Sequence, residues 1–240
     1  MANPYNNTEN KGEQVERMFD HIAADYDRMN RIISMGLDKR WRSNAIHLLK
    51  PYDPKMILDV AIGTGDFAIN MAQDLRESVD EIVGIDISEQ MMQYAKSKMS
   101  DELKEIIHLR KEDATQMTFE DNTFDAVTTA FGLRNFEDIR KGLKEMYRVL
   151  KPNAPLVVLE LTEPRNFFIK CGYKLWAFYI LPLLGRIISS DKKAYEYLPK
   201  SIHDVPQREK LLEIMNEVGF KNTFFQSQRL GVATIYLGLK

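Results

Sequence analysis

The sequence predicts a doubly wound α/β domain, and three observations lead there. Runs rich in Val, Ile and Leu alternate with helix-compatible segments from residue 56 to residue 161. The first run ends in a short glycine turn, Gly63-Thr64-Gly65, which opens a helical segment at Asp66. The second run ends in a carboxylate, Asp86, 21 residues after Gly65. A strand, a tight turn, a helix N-terminus and a later acid are how such sheets hold an adenosine-type ligand. The turn lets the backbone approach, and the acid accepts hydrogen bonds from ribose hydroxyls.

The elements follow in order. Residues 1–12 are polar and Asn-rich and read as a flexible tail. Over residues 13–50 apolar side chains recur at helical spacing (Val15, Met18, Phe19, Ile22; Met29, Ile32, Ile33; Trp41, Ala45, Leu48, Leu49). Two or three helices therefore precede the sheet, and Pro51 and Pro54 mark the boundary. Strands are expected at 56–62, 81–87, 106–110, 124–130 and 155–161, with helices near 66–75, 88–99 and 136–150. Residues 51–162 thus form the ligand-binding core. Residues 163–206 read as an insert on the acceptor side: an aromatic-rich stretch over 167–190, then a polar segment over 190–204. A helix over 207–218 and strands at 222–229 and 232–239 close the domain as an antiparallel hairpin.

Bulk properties narrow the function. With 33 basic and 35 acidic residues the net charge is −2, which argues against a nucleic-acid partner recruited by bulk electrostatics. Cys171 is the only cysteine and the four histidines lack ligand spacing, so neither a disulfide nor a metal site is expected. No secretory signal or uncharged span of about 18 apolar residues is visible, which points to the cytoplasm.

The glycine turn selects the ligand. Asp59-Val-Ala61-Ile-Gly63-Thr64-Gly65-Asp66 lacks the spacing of a dinucleotide fingerprint, and a carboxylate at the helix start would repel a pyrophosphate. S-adenosylmethionine carries a sulfonium and an ammonium but no phosphate, and two acids, Asp59 and Asp66, suit it. The stretch resembles the first motif of class I S-adenosylmethionine-dependent methyltransferases, D/E-x-G-x-G-x-G, with Ala61 at the first glycine position. That resemblance implies a Rossmann-like, mostly parallel seven-stranded sheet. Glu112-Asp113-Ala114, after the third strand, is where the adenine would be flanked.

Two longer stretches, residues 26–41 (YDRMNRIISMGLDKRW) and 148–162 (RVLKPNAPLVVLELT), together with Phe131-Gly-Leu-Arg-Asn135 and residues 195–202 (YEYLPKSI), are similar to the ubiquinone/menaquinone biosynthesis C-methyltransferase family. The chain differs from the common family pattern at Asp38, Ala130 and Asn153-Ala154. The resemblance implies methylation of a ring carbon of a polyprenylated quinol. Demethylmenaquinol is the first candidate acceptor. The alternatives are a benzoquinol of the ubiquinone pathway, another small molecule, or a non-catalytic cofactor-binding scaffold. By the same resemblance, Thr64, Asp86, Asp113 and Ala114 contact the cofactor, Gly63 and Gly65 shape the turn, and Asp59 lies near the methionine end. Tyr26, Arg134 and Asn135 face the quinol ring. A fixed cation at Arg134 suits a developing phenolate. His203, read as a loop residue, is either a ring-proton acceptor or an ordinary surface histidine, the latter being the plainer reading. The stretch over 167–190 suits a lid over the lipid tail, a peripheral contact with a membrane, or a packing or homodimer surface.

Overall fold

The structure, a computed structural model, describes residues 2–5, 9–176 and 192–240. Three helices come first: α1 (Lys11–Ile22), α2 (Tyr26–Ile33) and α3 (Leu37–His47). Then β1 (Met56–Val60), α4 (Asp66–Asp74), β2 (Glu81–Asp86), α5 (Glu89–Lys98), α6 (Asp101–Ile106), β3 (Ile107–Lys111), β4 (Ala126–Ala130), α7 (Ile139–Val149) and β5 (Pro155–Leu161) follow. The chain continues through α8 (Phe167–Leu175), α9 (Lys192–Asp204), α10 (Glu209–Val218), β6 (Lys221–Ser227) and β7 (Ala233–Leu239).

The seven strands form one sheet in the order β3-β2-β1-β4-β5-β7-β6. The first five are parallel. β7 runs antiparallel between β5 and β6, so the closing hairpin inserts its second strand into the sheet. Period-two alternation decides the two faces. On β5, Val157 and Leu159 join the cluster holding Trp41, Phe67 and Met71, whereas Leu156 and Val158 join that holding Leu143, Met146 and Leu211. With both faces covered, the inner strands are apolar almost throughout, which is why they are legible in the sequence. A third cluster (Met18, Ile22, Met29, Met91, Tyr197) ties α1 and α2 to α5 and α9.

Local chemistry sets the helix starts. Side chains of Asn10, Ser88, Ser100 and Asp138 accept backbone N–H bonds at the first turns of α1, α5, α6 and α7.

Three expectations change. The first helix starts at Lys11, inside the stretch read as tail, and Lys11 is buried. The polar segment over 190–204 contains helix α9, with Pro199 inside it, because Ala194, Tyr195, Tyr197 and Ile202 are buried. His203 therefore sits in the last turn of a helix, not in a loop. Of the stretch 167–190, residues 177–190 lie outside the described residues.

Candidate active site

The carboxyl ends of β1, β2 and β4 open onto a cavity of about 570 Å³. Its walls include Ala61 and Gly63 of the glycine turn, Asp86, Asp113, Ala114, Phe131 and Asn135, with α1 along one side. A recess of about 30 Å³ reaches from the same Tyr26, Ala61, Gly63 and Phe131 down to Asp59, Arg42 and Thr64.

The turn is held by the acid that follows it. Asp86 accepts from the Gly63 N–H and the Ser88 N–H, both at 2.8 Å. Burial pushes the Asp86 carboxyl up to about 6 against those bonds. Gly63 (φ +56°) faces open space where a side chain would sit. Gly65 (φ +78°) has a different reason: a Cβ there would stand 3.0 Å from the Ala95 methyl of α5. Ala61, at the motif's first glycine position, keeps the left-handed backbone glycine would favour (φ +57°).

Asp59 is almost fully buried at the end of β1. Its Oδ1 accepts from the Thr128 hydroxyl at 2.7 Å, and its Oδ2 has no partner. Burial pushes its carboxyl up to about 7, with Asp86 adding to the rise while Thr128 and Arg42 oppose it. A buried, half-satisfied acid fronting a recess has an oxygen free to meet a donor or a cation there. Arg42 is held by Asp38 at 2.6 Å, and Asp38 also accepts from the Ser34 hydroxyl. Asp66 contributes less negative charge than its position suggests, because Lys98 sits 2.5 Å from it. Lys98 equally grips Asp27, which accepts from the Thr64 hydroxyl. Thr64 thus borders the recess but not the larger cavity.

Asp113 and Ala114 line the far end. Asp113 Oδ1 caps its own turn, accepting from the Thr115 N–H at 2.7 Å and the Thr115 hydroxyl at 2.9 Å. The cavity and its recess differ chemically: Asp86 and Asp113 line the cavity, and the unpaired oxygen of Asp59 fronts the recess. A ligand with a diol, a heteroaromatic ring and a cationic tail fits that arrangement.

The acceptor end is built by the turn after β4. Phe131 is left-handed (φ +61°), and its carbonyl accepts from Arg134 Nη1 and, at 3.3 Å, from Asn135 Nδ2. Asn135 Oδ1 accepts from the Tyr197 hydroxyl at 3.2 Å, and burial pushes that phenol up to about 12. Tyr26 borders both the cavity and the recess.

Arg134, expected to face the ring, is buried in the turn after β4. It lines none of these cavities. Its guanidinium forms a buried ion pair with Glu160 at 2.9 Å, and its backbone N–H donates to the other Glu160 oxygen at 3.0 Å. Burial alone would lower the Arg134 pKa, but Glu160 raises it. Glu137 and Asp138, the neighbours a surface ion pair would have used, are not its partners. His203 is exposed and pairs with Glu163 at 2.9 Å, away from the cavity.

Sequence reasoning missed three contributors. Glu160 is a lone carboxylate inside an apolar strand, and that mismatch was the available signal. Tyr197 lay in a quoted motif without a role. Lys11 donates to the carbonyls of Arg134 (3.1 Å) and Phe136 (2.7 Å), tying α1 to the turn after β4. Burial lowers its ammonium to about 8. Nothing in the Asn-rich tail announces that contact.

Comparisons with known proteins agree with this architecture. A model of the ubiE/COQ5 methyltransferase family matches residues 7–240. A Porphyromonas gingivalis protein named demethylmenaquinone methyltransferase is 47% identical, over 99% of this chain and 97% of its own. A Geotalea daltonii protein named ubiquinone/menaquinone biosynthesis C-methyltransferase is 41% identical, over 96% of this chain and 97% of its own. The solved structure of an S-adenosylmethionine-dependent methyltransferase from Thermotoga maritima superposes with a TM-score of 0.63 over 94% of this chain and 99% of its own. At 18% identity that likeness speaks to the fold alone.

Proposed function

The chain belongs to the ubiE/COQ5 methyltransferase family, and from that premise and the site's geometry we propose that it methylates a ring carbon of a polyprenylated quinol, with S-adenosylmethionine as donor, demethylmenaquinol as acceptor and menaquinol as product. The observation that carries the reading is a recess at the half-satisfied Asp59 adjoining a cavity whose polar acceptor wall is Tyr26 and Asn135, the latter held by the Tyr197 hydroxyl.

Asp86 would hold the ribose hydroxyls, Asp113 and Ala114 the adenine, and Asp59 the cationic methionine end. Gly63 leaves the space that close approach of the ligand requires. When bound, the cofactor supplies an electrophilic methyl group. The protein aligns the acceptor carbon and favours loss of the adjacent hydroxyl proton. Tyr26 and Asn135 orient the ring oxygens. Arg134 is a positioning residue: with Glu160 it fixes the turn that presents Asn135.

Among the described residues no helix is long and apolar enough to cross a membrane. The lipid acceptor would instead be met at a membrane surface, with the protein cytoplasmic and peripheral. The exposed Phe167 and Phe168 on α8 support such a contact.

The test is a methyl-transfer assay with labelled S-adenosylmethionine and purified protein, offering demethylmenaquinol and the benzoquinol counterpart separately. Label is expected in menaquinol. Label only in the benzoquinol would move the protein to the second pathway, and label in neither would overturn the acceptor assignment. A strain lacking the protein is expected to accumulate demethylmenaquinone.

A further inference from the structure

A second cavity lies apart from the first. It is a groove of about 400 Å³ above the ends of β5 and β7, walled by α2, α3, α8 and α9. Ile33, Trp41, Leu161, Leu198 and Ile202 give it apolar walls. The hydroxyl of Ser34, which also borders it, is turned away to Asp38 at 2.7 Å. A groove of this chemistry, with the Tyr173 hydroxyl and the Trp176 indole N–H as its other polar groups, offers an incoming group mainly contact and dehydration.

Its wall is shared with the acceptor end of the first cavity. Trp41 of the groove meets Phe131 of the cavity edge-on, with ring centroids 6.4 Å apart. Leu198 is the chain neighbour of Tyr197, whose hydroxyl donates to Asn135 of the cavity wall. A substrate whose ring sits against Phe131 and Asn135 therefore has the groove next to it.

The backbone supplies an independent observation. Nine described non-glycine residues have positive φ. Four of them are apolar: Ala61 and Phe131, on the first cavity, and Met35 (φ +52°) and Leu230 (φ +66°), on the groove. Left-handed backbone is costly for a bulky side chain and collects at functional sites. Met35 and Leu230 are also exposed, by 76% and 49%. Strained backbone thus holds two apolar side chains in water at the mouth of an apolar groove.

We infer that this groove takes the isoprenoid chain of the acceptor, beginning beside Trp41 and leaving between Met35 and Leu230. The assignment rests on the quinol reading above and adds to it where the tail lies. It accounts for a groove with mostly apolar walls, for its position against the acceptor wall, and for a rim that is apolar despite exposure and strain.

Gly172 of α8 provides the test. It borders the groove, and a Cβ added there meets nothing within 4 Å. Gly172→Leu and Gly172→Trp therefore fill the groove by degrees, and replacing a helical glycine also favours the helix. Met35→Asn and Leu230→Asn make the rim polar while suiting the left-handed backbone better. Two readouts are needed. The first is the ratio of kcat/KM for tailed demethylmenaquinol to that for the same ring without a tail. Gly172→Trp is expected to lower this ratio tenfold or more, the scale on which apolar pockets discriminate by about one methylene. Gly172→Leu should lower it less. The asparagine variants should lower it without a fall in melting temperature. An unchanged ratio, or equal losses on both acceptors, would overturn the inference.

The second readout is calorimetric binding of farnesol, an isoprenoid with no quinol ring. The full chain is expected to bind it, and Gly172→Trp to weaken that binding at least tenfold. No binding to the unaltered protein would overturn the groove assignment even if both quinols are methylated. Failure to methylate either quinol would instead strike the acceptor reading, with farnesol binding still deciding the groove.

Discussion

The two cavities of this molecule are built on opposite principles. The one at β1, β2 and β4 is organised by hydrogen bonds to buried acids: Asp86 holds the glycine turn, and Asp59 keeps one oxygen without a partner. The groove at β5 and β7 is organised by packing and borders no buried acid. A site that recognises polar atoms must keep charges buried and accept their cost. A site for an aliphatic chain only has to stay dry and open. The two halves should therefore respond to different perturbations.

The wall between them is the place of largest effect. Arg134→Ala leaves Glu160 buried without its cation, and breaking such a pair costs ~3–5 kcal/mol. The variant should show a lower denaturation midpoint and lose most turnover. The paired change Arg134→Met with Glu160→Leu should recover much of the stability but not the turnover. If turnover returns as well, the pair is only structural and the two halves do not meet there.

On the polar side, Asp86→Ala removes the acceptor for two backbone donors and for the ribose. Each hydrogen bond to a charged group contributes ~1.5–3 kcal/mol. Affinity for S-adenosylmethionine should drop by about a hundredfold in calorimetry, while farnesol binding stays as it is. A parallel loss of farnesol binding would show that the halves are coupled.

Acidity separates them further. A cation bound beside Asp59 favours its carboxylate, so S-adenosylmethionine should bind more tightly as pH rises through about 7, the Asp59 value. Binding should release protons, visible as a dependence of the heat on buffer, and Asp59→Asn should flatten the profile. Without ligand the sign reverses. Asp59 and Asp86, raised by burial to about 7 and about 6, keep protons in the folded chain that the unfolded chain has lost. Their contribution to stability is therefore present below about pH 4 and is lost as pH rises toward 7. Asp59→Asn should melt higher than the unaltered protein at pH 8.

The smallest effect is expected at Ala61. Ala61→Gly relieves a left-handed alanine, worth ~1–2 kcal/mol, but adds backbone freedom to the unfolded chain, which offsets about half of that. A small rise in melting temperature should follow. A fall would mean that the methyl, which packs where a Gly132 side chain would go, contributes more than its backbone costs.

The same contrast explains what the sequence made legible. The strands were readable because burial on both faces writes itself as unbroken Val, Ile and Leu. The cofactor turn was readable because glycines and an acid at fixed spacing answer to one backbone geometry. Glu160 and Arg134 are far apart in the chain, and no local pattern pairs them. Helix α9 was hidden by its lysines and by Pro199, although Tyr195 and Tyr197 carry its buried face. The groove comes from four helices and the ends of two strands, so no single stretch announces it.

The strand order has one more consequence, for how copies of the molecule meet. Because β7 is enclosed between β5 and β6, the two outer strands of the sheet are β3 and β6. β3 carries His108, Arg110 and Lys111, and β6 begins with Lys221 and has a register break before Phe224. Charged or irregular margins of this kind do not recruit a strand from a neighbour. Edge-to-edge fibre growth is thereby disfavoured.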